Sequence, residues 1–230
     1  MDNIPCTLVV GGTGTLGASI ARRRTAAGQR VALTSRSAER ARAFAAELGP
    51  DAVGLALDLA MPETIESALD ELGAIAAIVL TAIEQPTASL RDFDLGRAQR
   101  SVVMKLVGYT EVVRVLVDRM TPDASVVLFG GLAKDQPYPG STMVTAFNGG
   151  IATLVNTLAV EIAPHRVNAI HPGVVGDTPR WANVEHPAKT RTPIGRLVTS
   201  DEITDAVEFL LRNGGINAQN LCIDGGVRVG

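Results

Sequence analysis

Val10-Gly11-Gly12-Thr13-Gly14-Thr15-Leu16-Gly17 is the stretch that decides how this chain folds. It follows a short apolar run, Leu8-Val9-Val10, and opens a segment with helical spacing from Leu16 to Ala27. Glycines at such a junction permit a tight turn, let a backbone come close to a pyrophosphate, and let helix and strand pack with nothing between them. The helix N-terminus then offers unpaired N–H groups to the phosphates. A glycine triplet by itself also serves as a plain turn. Here it lies between the first strand and the first helix at the right spacing, which points to a dinucleotide held by Gly11, Thr13, Thr15, Leu16 and Gly17.

Outward from that loop, the same alternation of apolar run and helical segment repeats. Val31-Ala32-Leu33 precedes Ala38–Leu48, Ala52–Leu57 precedes Glu63–Leu72, and Ile75–Leu80 precedes a long helical stretch from Leu95 to Met120. Val126–Phe129 precedes Thr142–Ala163, Val167–Ile170 runs into Pro172-Gly173, and Ile203–Leu211 precedes Leu221–Ile223. The strands read as continuous apolar runs, as expected where helices cover both faces of a parallel sheet. The predicted fold is α/β, a doubly wound parallel seven-stranded sheet of the Rossmann kind, forming a single domain over residues 1–230.

Composition bounds the function. In 230 residues, 46% are hydrophobic and 20% charged, which suits a globular chain and not a disordered one. A net charge of −3 argues against a nucleic-acid partner. No apolar run approaches the ~20 residues of a membrane span, and the start, Met1-Asp2-Asn3-Ile4-Pro5, lacks the pattern of a secretory signal. Cys6 and Cys222 form no disulfide framework or metal-ligand spacing, so no metal is expected and a reducing cytoplasm is the expected compartment. The stretches Leu95–Met120 and Thr142–Ala163 carry more apolar residues than one buried stripe requires, which predicts a homo-oligomer, a tetramer or dimer.

The turn after the second strand bears on which dinucleotide binds. A carboxylate there bonds the ribose 2′-hydroxyl of NAD, whereas an arginine suits the 2′-phosphate of NADP. The chain has Thr34-Ser35-Arg36-Ser37 with no carboxylate before Glu39, so Ser35 and Arg36 favour NADP(H) over NAD(H). An arginine at a helix start can also simply be solvated.

Taken with Asp58-Leu59, Asn168-Ala169-Ile170-His171-Pro172-Gly173, Pro193-Ile194-Gly195-Arg196, Asp201-Glu202-Ile203, Asp224-Gly225-Gly226 and Leu158–Pro164, the chain resembles the short-chain dehydrogenase/reductase superfamily along nearly its whole length. The resemblance implies further cofactor contacts from Asp58, Leu59, Thr81, Ala82, Asn148, Pro172, Gly173, Val175 and Thr178. One glycine departs from the pattern, because Gly11-x-x-Gly14-x-x-Gly17 is the spacing of the family's longer, extended branch.

The family's Asn-Ser-Tyr-Lys catalytic set does not carry over. Neither Tyr109 nor Tyr138 has a lysine four residues on. Registered on Glu161, the Tyr and Lys positions hold Val144 and Asn148, and the Ser position, thirteen before the Tyr, holds Gly131; registered on Gly108 and Met120, the Asn position holds Lys105. Valine cannot pass a proton, and loss of a positioned proton donor typically costs ~10²–10⁴-fold. The residues expected to stand in are Lys105, Asp177, Tyr138 and Arg180. Lys105 could polarise a carbonyl or donate a proton, with Tyr109 one turn along the same helix; it could equally lean out to solvent. Asp177 could act as a base or open a helix, Arg180 could clamp an anion beside Trp181, and Tyr138 could line the substrate cleft.

The expectation is therefore an NADP(H)-dependent oxidoreductase with a non-standard active site, acting on a small or polycyclic carbonyl or imine as its small-molecule substrate. The alternatives are a non-redox enzyme on the same fold (an isomerase, dehydratase or cyclase) or a cofactor-binding pseudoenzyme.

Overall fold

The computed structural model describes residues 4–84, 88–182 and 188–229, with the side chains of 188 and 190 left out. Seven strands run in parallel: β1 (Cys6–Val10), β2 (Arg30–Ser35), β3 (Val53–Ala56), β4 (Ile75–Leu80), β5 (Met120–Phe129), β6 (Arg166–Pro172) and β7 (Asn220–Ile223). Their spatial order is β3-β2-β1-β4-β5-β6-β7. The helices are α1 (Thr15–Ala26), α2 (Ala38–Leu48), α3 (Ile65–Leu69), α4 (Leu95–Val102), α5 (Tyr109–Leu116), α6 (Thr142–Glu161), α7 (Ala188–Arg191) and α8 (Ser200–Arg212). This is the doubly wound Rossmann arrangement expected from the sequence.

Successive strand residues point to opposite faces, and here both faces are dry. Leu8, Val10, Ile78, Leu80, Val126 and Leu128 pack under α3, α5 and α6 with Ile65, Leu69, Val112, Val113, Ile151 and Val155. Their neighbours Val9, Val31, Leu33, Val79 and Val127 face the other way, against Ile20 of α1, Ala41 of α2, and Ile203 and Val207 of α8. That double burial is why the strands read as unbroken apolar runs.

Local signals set the helix ends. Ser37 Oγ accepts from Arg40 N at the start of α2. Thr199 and Glu202 form a reciprocal capping box on α8. At the other end of α8, the Arg166 guanidinium donates to the carbonyls of Leu210, Leu211 and Ile216, a cation placed on the negative end of the helix dipole.

Three elements differ from their sequence reading. The long Leu95–Met120 segment is broken: α4 passes into a wide π-helical turn, Val103–Gly108, before α5 begins. Helix α3 is shorter than the Glu63–Leu72 expected, since Pro62–Thr64 forms a tight 3₁₀ turn ahead of it. Strand β5 begins at Met120, six residues before the apolar run Val126–Phe129.

The chain crosses from one side of β1 to the other at β4, so the crevice beyond the C-terminal ends of β1 and β4 is the switch point where such sheets bind ligands. Thr81 ties the two ends together, its backbone N–H and its hydroxyl both donating to the Val10 carbonyl at 3.0 and 2.9 Å.

Candidate cofactor and active site

The glycine loop fills that crevice and leaves no room for side chains. Gly11 lies in the left-handed region at φ +81°, and a Cβ there would stand 2.8 Å from Ala82 N. A Cβ on Gly12 would meet Leu33 Cβ at 2.6 Å, and one on Gly17 would meet the Gly11 carbonyl oxygen at 2.3 Å. Gly14, the residue before α1, supplies no side-chain cap, and the first turn of α1 has no carboxylate. Its N–H groups are thus left to face an anion. Thr15 is exposed at that helix start and Leu16 is half-buried, while the Thr13 carbonyl accepts from Arg40 at 3.4 Å. This cradle suits a pyrophosphate.

At the outer end of the crevice a chain of ion pairs joins four elements. Arg36, just past β2, donates to Glu84 Oε1 at 2.5 Å. Arg100 on α4 donates to both Glu84 oxygens through Nε and, through Nη2, to Asp58 at 2.9 and 3.1 Å. Burial of Asp58 works to raise its carboxyl pKa, but the hydrogen bonds from Arg100 and the Ala60 N–H hold it below the usual carboxylate value. Ser35 Oγ accepts from Ser37 N, and Leu59 is buried with its carbonyl pressed against Gly108.

Two of the positions registered on the family's catalytic set, 131 and 148, adjoin each other. A Cβ on Gly131 would stand 2.7 Å from Asn148 Nδ2, and Val144 packs with Ala133, Phe147 and Leu106 in a small apolar cluster. Asn148 is 2% exposed, and its Oδ1 is buried with no hydrogen-bond partner among the described residues, an orphaned acceptor beside Gly131. The loop carrying Gly131 is anchored from below by fully buried His171. Its Nδ1 accepts from Gly131 N at 3.1 Å, so the ring proton sits on Nε2 and donates to Asn220 Oδ1 at 2.8 Å. Burial pushes the His171 pKa down, which keeps this neutral arrangement. Pro172 ends β6, Gly173 N donates to Ile223 O, and Val175 is buried with its carbonyl accepting from Thr178 Oγ1.

The four residues expected to stand in for that set lie in different surroundings. Lys105 is wholly buried at the centre of the π-helical turn, its Nζ donating to Tyr109 Oη at 2.9 Å and to the Ala82 carbonyl at 3.4 Å. Tyr109 in turn donates to Ala82 O at 2.7 Å. Desolvation lowers the Lys105 pKa to about 7 and raises that of Tyr109 well above its ordinary value. Asp177 accepts from the backbone N–H and the hydroxyl of Ser200, capping α8 from 23 residues upstream. Arg180 lies over the Trp181 ring, 4.7 Å from its centre. Tyr138 is exposed and lines an open cleft of about 540 Å³ with Leu90, Pro137, Pro139, Ser141 and Thr145.

Sequence reasoning did not foresee Glu84 or Arg100. A carboxylate four residues beyond β4, in a crevice otherwise lined by small residues, was the available signal for Glu84.

Residues 12–228 match the family model described as enoyl-(acyl carrier protein) reductase. The chain belongs to the short-chain dehydrogenase/reductase superfamily. It is 25% identical to a 3-oxoacyl-[acyl-carrier-protein] reductase of Bos taurus, covering 96% of this chain and 97% of the relative. An L-xylulose reductase of the same organism is 29% identical over 95% of this chain and 94% of its own length. Among solved structures, a short-chain dehydrogenase from Burkholderia cenocepacia in complex with NADP superposes with a TM-score of 0.90 at 27% identity, covering 99% of this chain and all of the other. The relatives named are reductases and dehydrogenases, so the superfamily places this chain among oxidoreductases.

Proposed function

We propose that the chain binds NADP(H) in this crevice and reduces a small or polycyclic C=N or C=O group without the superfamily's tyrosine. The observation that carries the reading is the crowded glycine cradle at the switch point, and Val144 at the registered tyrosine position, packed in an apolar cluster, supports the altered chemistry. Ser35 at the end of β2 and Arg36 just past it, and the likeness to a dehydrogenase complexed with NADP, support NADP(H) over NAD(H).

When bound, the reduced nicotinamide supplies a hydride. The chain's own residues do the rest. Gly11, Gly12 and Gly17 let the loop backbone close on the pyrophosphate, and the uncapped turn of α1 faces its charge. Asn148 Oδ1 is buried and lacks a donor among the described residues, and the proposed reading has this side chain turn toward the crevice to accept a ribose hydroxyl. Val144 and Phe147 give a dry wall that neither gives nor takes a proton. A substrate nitrogen that arrives already protonated needs no phenol, so an imine fits this wall better than a ketone. The Tyr138-lined cleft is the proposed approach for such a substrate.

A second reading, a cofactor-binding pseudoenzyme, draws support from the separate engagements of Lys105, Asp177 and Arg180. A non-redox isomerase, dehydratase or cyclase needs a positioned acid and base, for which these engagements leave less support. We further propose the cytoplasm as the compartment and a homo-oligomer as the working form, since Leu95, Val107 and Val160 on α4, the π-helical turn and α6 lie exposed.

Titration of NADPH and NADH, followed by nicotinamide fluorescence, tests the cofactor reading. Wild type is expected to bind NADPH more tightly, and Arg36→Ala to lose that margin. Equal affinities in wild type would overturn the preference.

A further inference from the structure

We propose that Glu84 sets the chain's discrimination between phosphorylated and unphosphorylated dinucleotides, by occupying the guanidinium that a ribose 2′-phosphate requires. The inference rests on the reading that a dinucleotide binds in this crevice, and it deepens that reading at the adenosine end.

In doubly wound sheets the turn after the second strand faces the adenosine ribose, and a basic residue there receives a 2′-phosphate while an acidic one bonds the 2′-hydroxyl. This chain places both signs at that point. Arg36 stands on the β2 turn, but its guanidinium is held by Glu84, which reaches it from beyond the end of β4. Glu84 is the fixed partner of the two: its side chain is 28% exposed and gripped from the far side by Arg100, whereas Arg36 is 67% exposed. Arg100 is anchored in turn by Asp58.

The charges of this chain cancel, with Arg36 and Arg100 against Glu84 and Asp58. A phosphate brought to Arg36 meets a carboxylate already bound to it and must displace that carboxylate against like-charge repulsion. A ribose 2′-hydroxyl meets the opposite situation, because Glu84 is an acceptor and the hydroxyl a donor. Glu84 therefore weakens the binding of NADP(H) and assists that of NAD(H), working against the preference that Arg36 confers. Arg40, which reaches the Thr13 carbonyl at the same edge of the crevice, is a second guanidinium that a phosphate could recruit once the carboxylate is gone.

The test compares wild type, Glu84→Gln, Glu84→Ala and Glu84→Gln/Arg36→Ala. Each protein is titrated with NADPH and NADH by fluorescence, and with adenosine 2′,5′-bisphosphate and 5′-AMP by calorimetry. Both single variants are expected to raise the NADPH-to-NADH affinity ratio about tenfold, equivalent to ~1.4 kcal/mol. The bisphosphate-to-AMP ratio should rise in parallel, and the double variant should lose the gain. A ratio in both single variants within twofold of wild type would overturn the role of Glu84. So would an undiminished gain in the double variant, which would mean that the phosphate does not use Arg36. The underlying reading fails separately, when wild type binds neither dinucleotide; the nucleotide fragments then still decide the role of Glu84, through the bisphosphate ratio.

Discussion

Lys105 shows how far a single residue's role depends on its neighbours. Unfolded, its ammonium has the ordinary pKa of 10.5; folded, burial lowers that to about 7. Between those values the unfolded chain binds the additional proton, so stability rises as pH rises from 7 toward 10.5 and is lowest below 7. Lys105→Met removes this titration and leaves Tyr109 still bonded to Ala82. Urea unfolding at several pH values should show wild type gaining stability relative to the variant between pH 7 and 9, by at most ~1.4 kcal/mol per pH unit. Parallel curves would contradict a desolvated Lys105. Gly131 poses a different question. Its backbone is extended, at φ −179°, so only the contact with Asn148 resists a side chain. Gly131→Ala is expected to cost ~1–3 kcal/mol by crowding, and Asn148→Ala in the same chain to return much of it, as a double-mutant cycle of unfolding free energies would read. The proposed replacement of the Asn-Ser-Tyr-Lys set rests on sequence register alone. The uses of the substitutes were not, because Lys105's burial and the Gly131–Asn148 contact depend on which atoms the fold brings together.

At the scale of elements, periodicity located all seven strands and the principal helices, since a buried parallel strand has no choice but to be apolar on both faces. What pattern could not carry was the break at Val103–Gly108, where apolar spacing continues through the π-helical turn, and the start of β5, where Thr121, Pro122 and Asp123 interrupt the apolar run. Nor could it pair Asp177 with a helix 23 residues away. That carboxylate satisfies the first N–H of α8 while Thr199 and Glu202 close the capping box, and Glu202, held by Arg196 and the Thr199 N–H, keeps its pKa near about 2. Asp177→Ala should therefore lower the thermal midpoint, with a cap loss of ~1 kcal/mol, and leave NADPH affinity as in wild type. A hundredfold loss of turnover without loss of stability would instead place Asp177 in the chemistry.

At the scale of the whole molecule, the proposed function combines an intact superfamily framework with an altered reaction centre. The sheet order, the switch-point crevice, the glycine cradle and the buried support under Gly131 all remain. On the proposed register the family's tyrosine position falls to Val144, which packs with Phe147, Ala133 and Leu106 in apolar contact. The proposed function has this framework bind and orient a hydride donor and take the proton from its substrate. The measurement that tests this most directly is the initial rate of NADPH oxidation with a cyclic imine and with the ketone of matching ring size, across pH. The account predicts turnover of the imine that declines as pH rises past the imine's own pKa, and a ketone rate lower by ~10²-fold or more, the worth of a positioned proton donor. Comparable rates for the two, or bound NADPH that neither substrate oxidises, would contradict it.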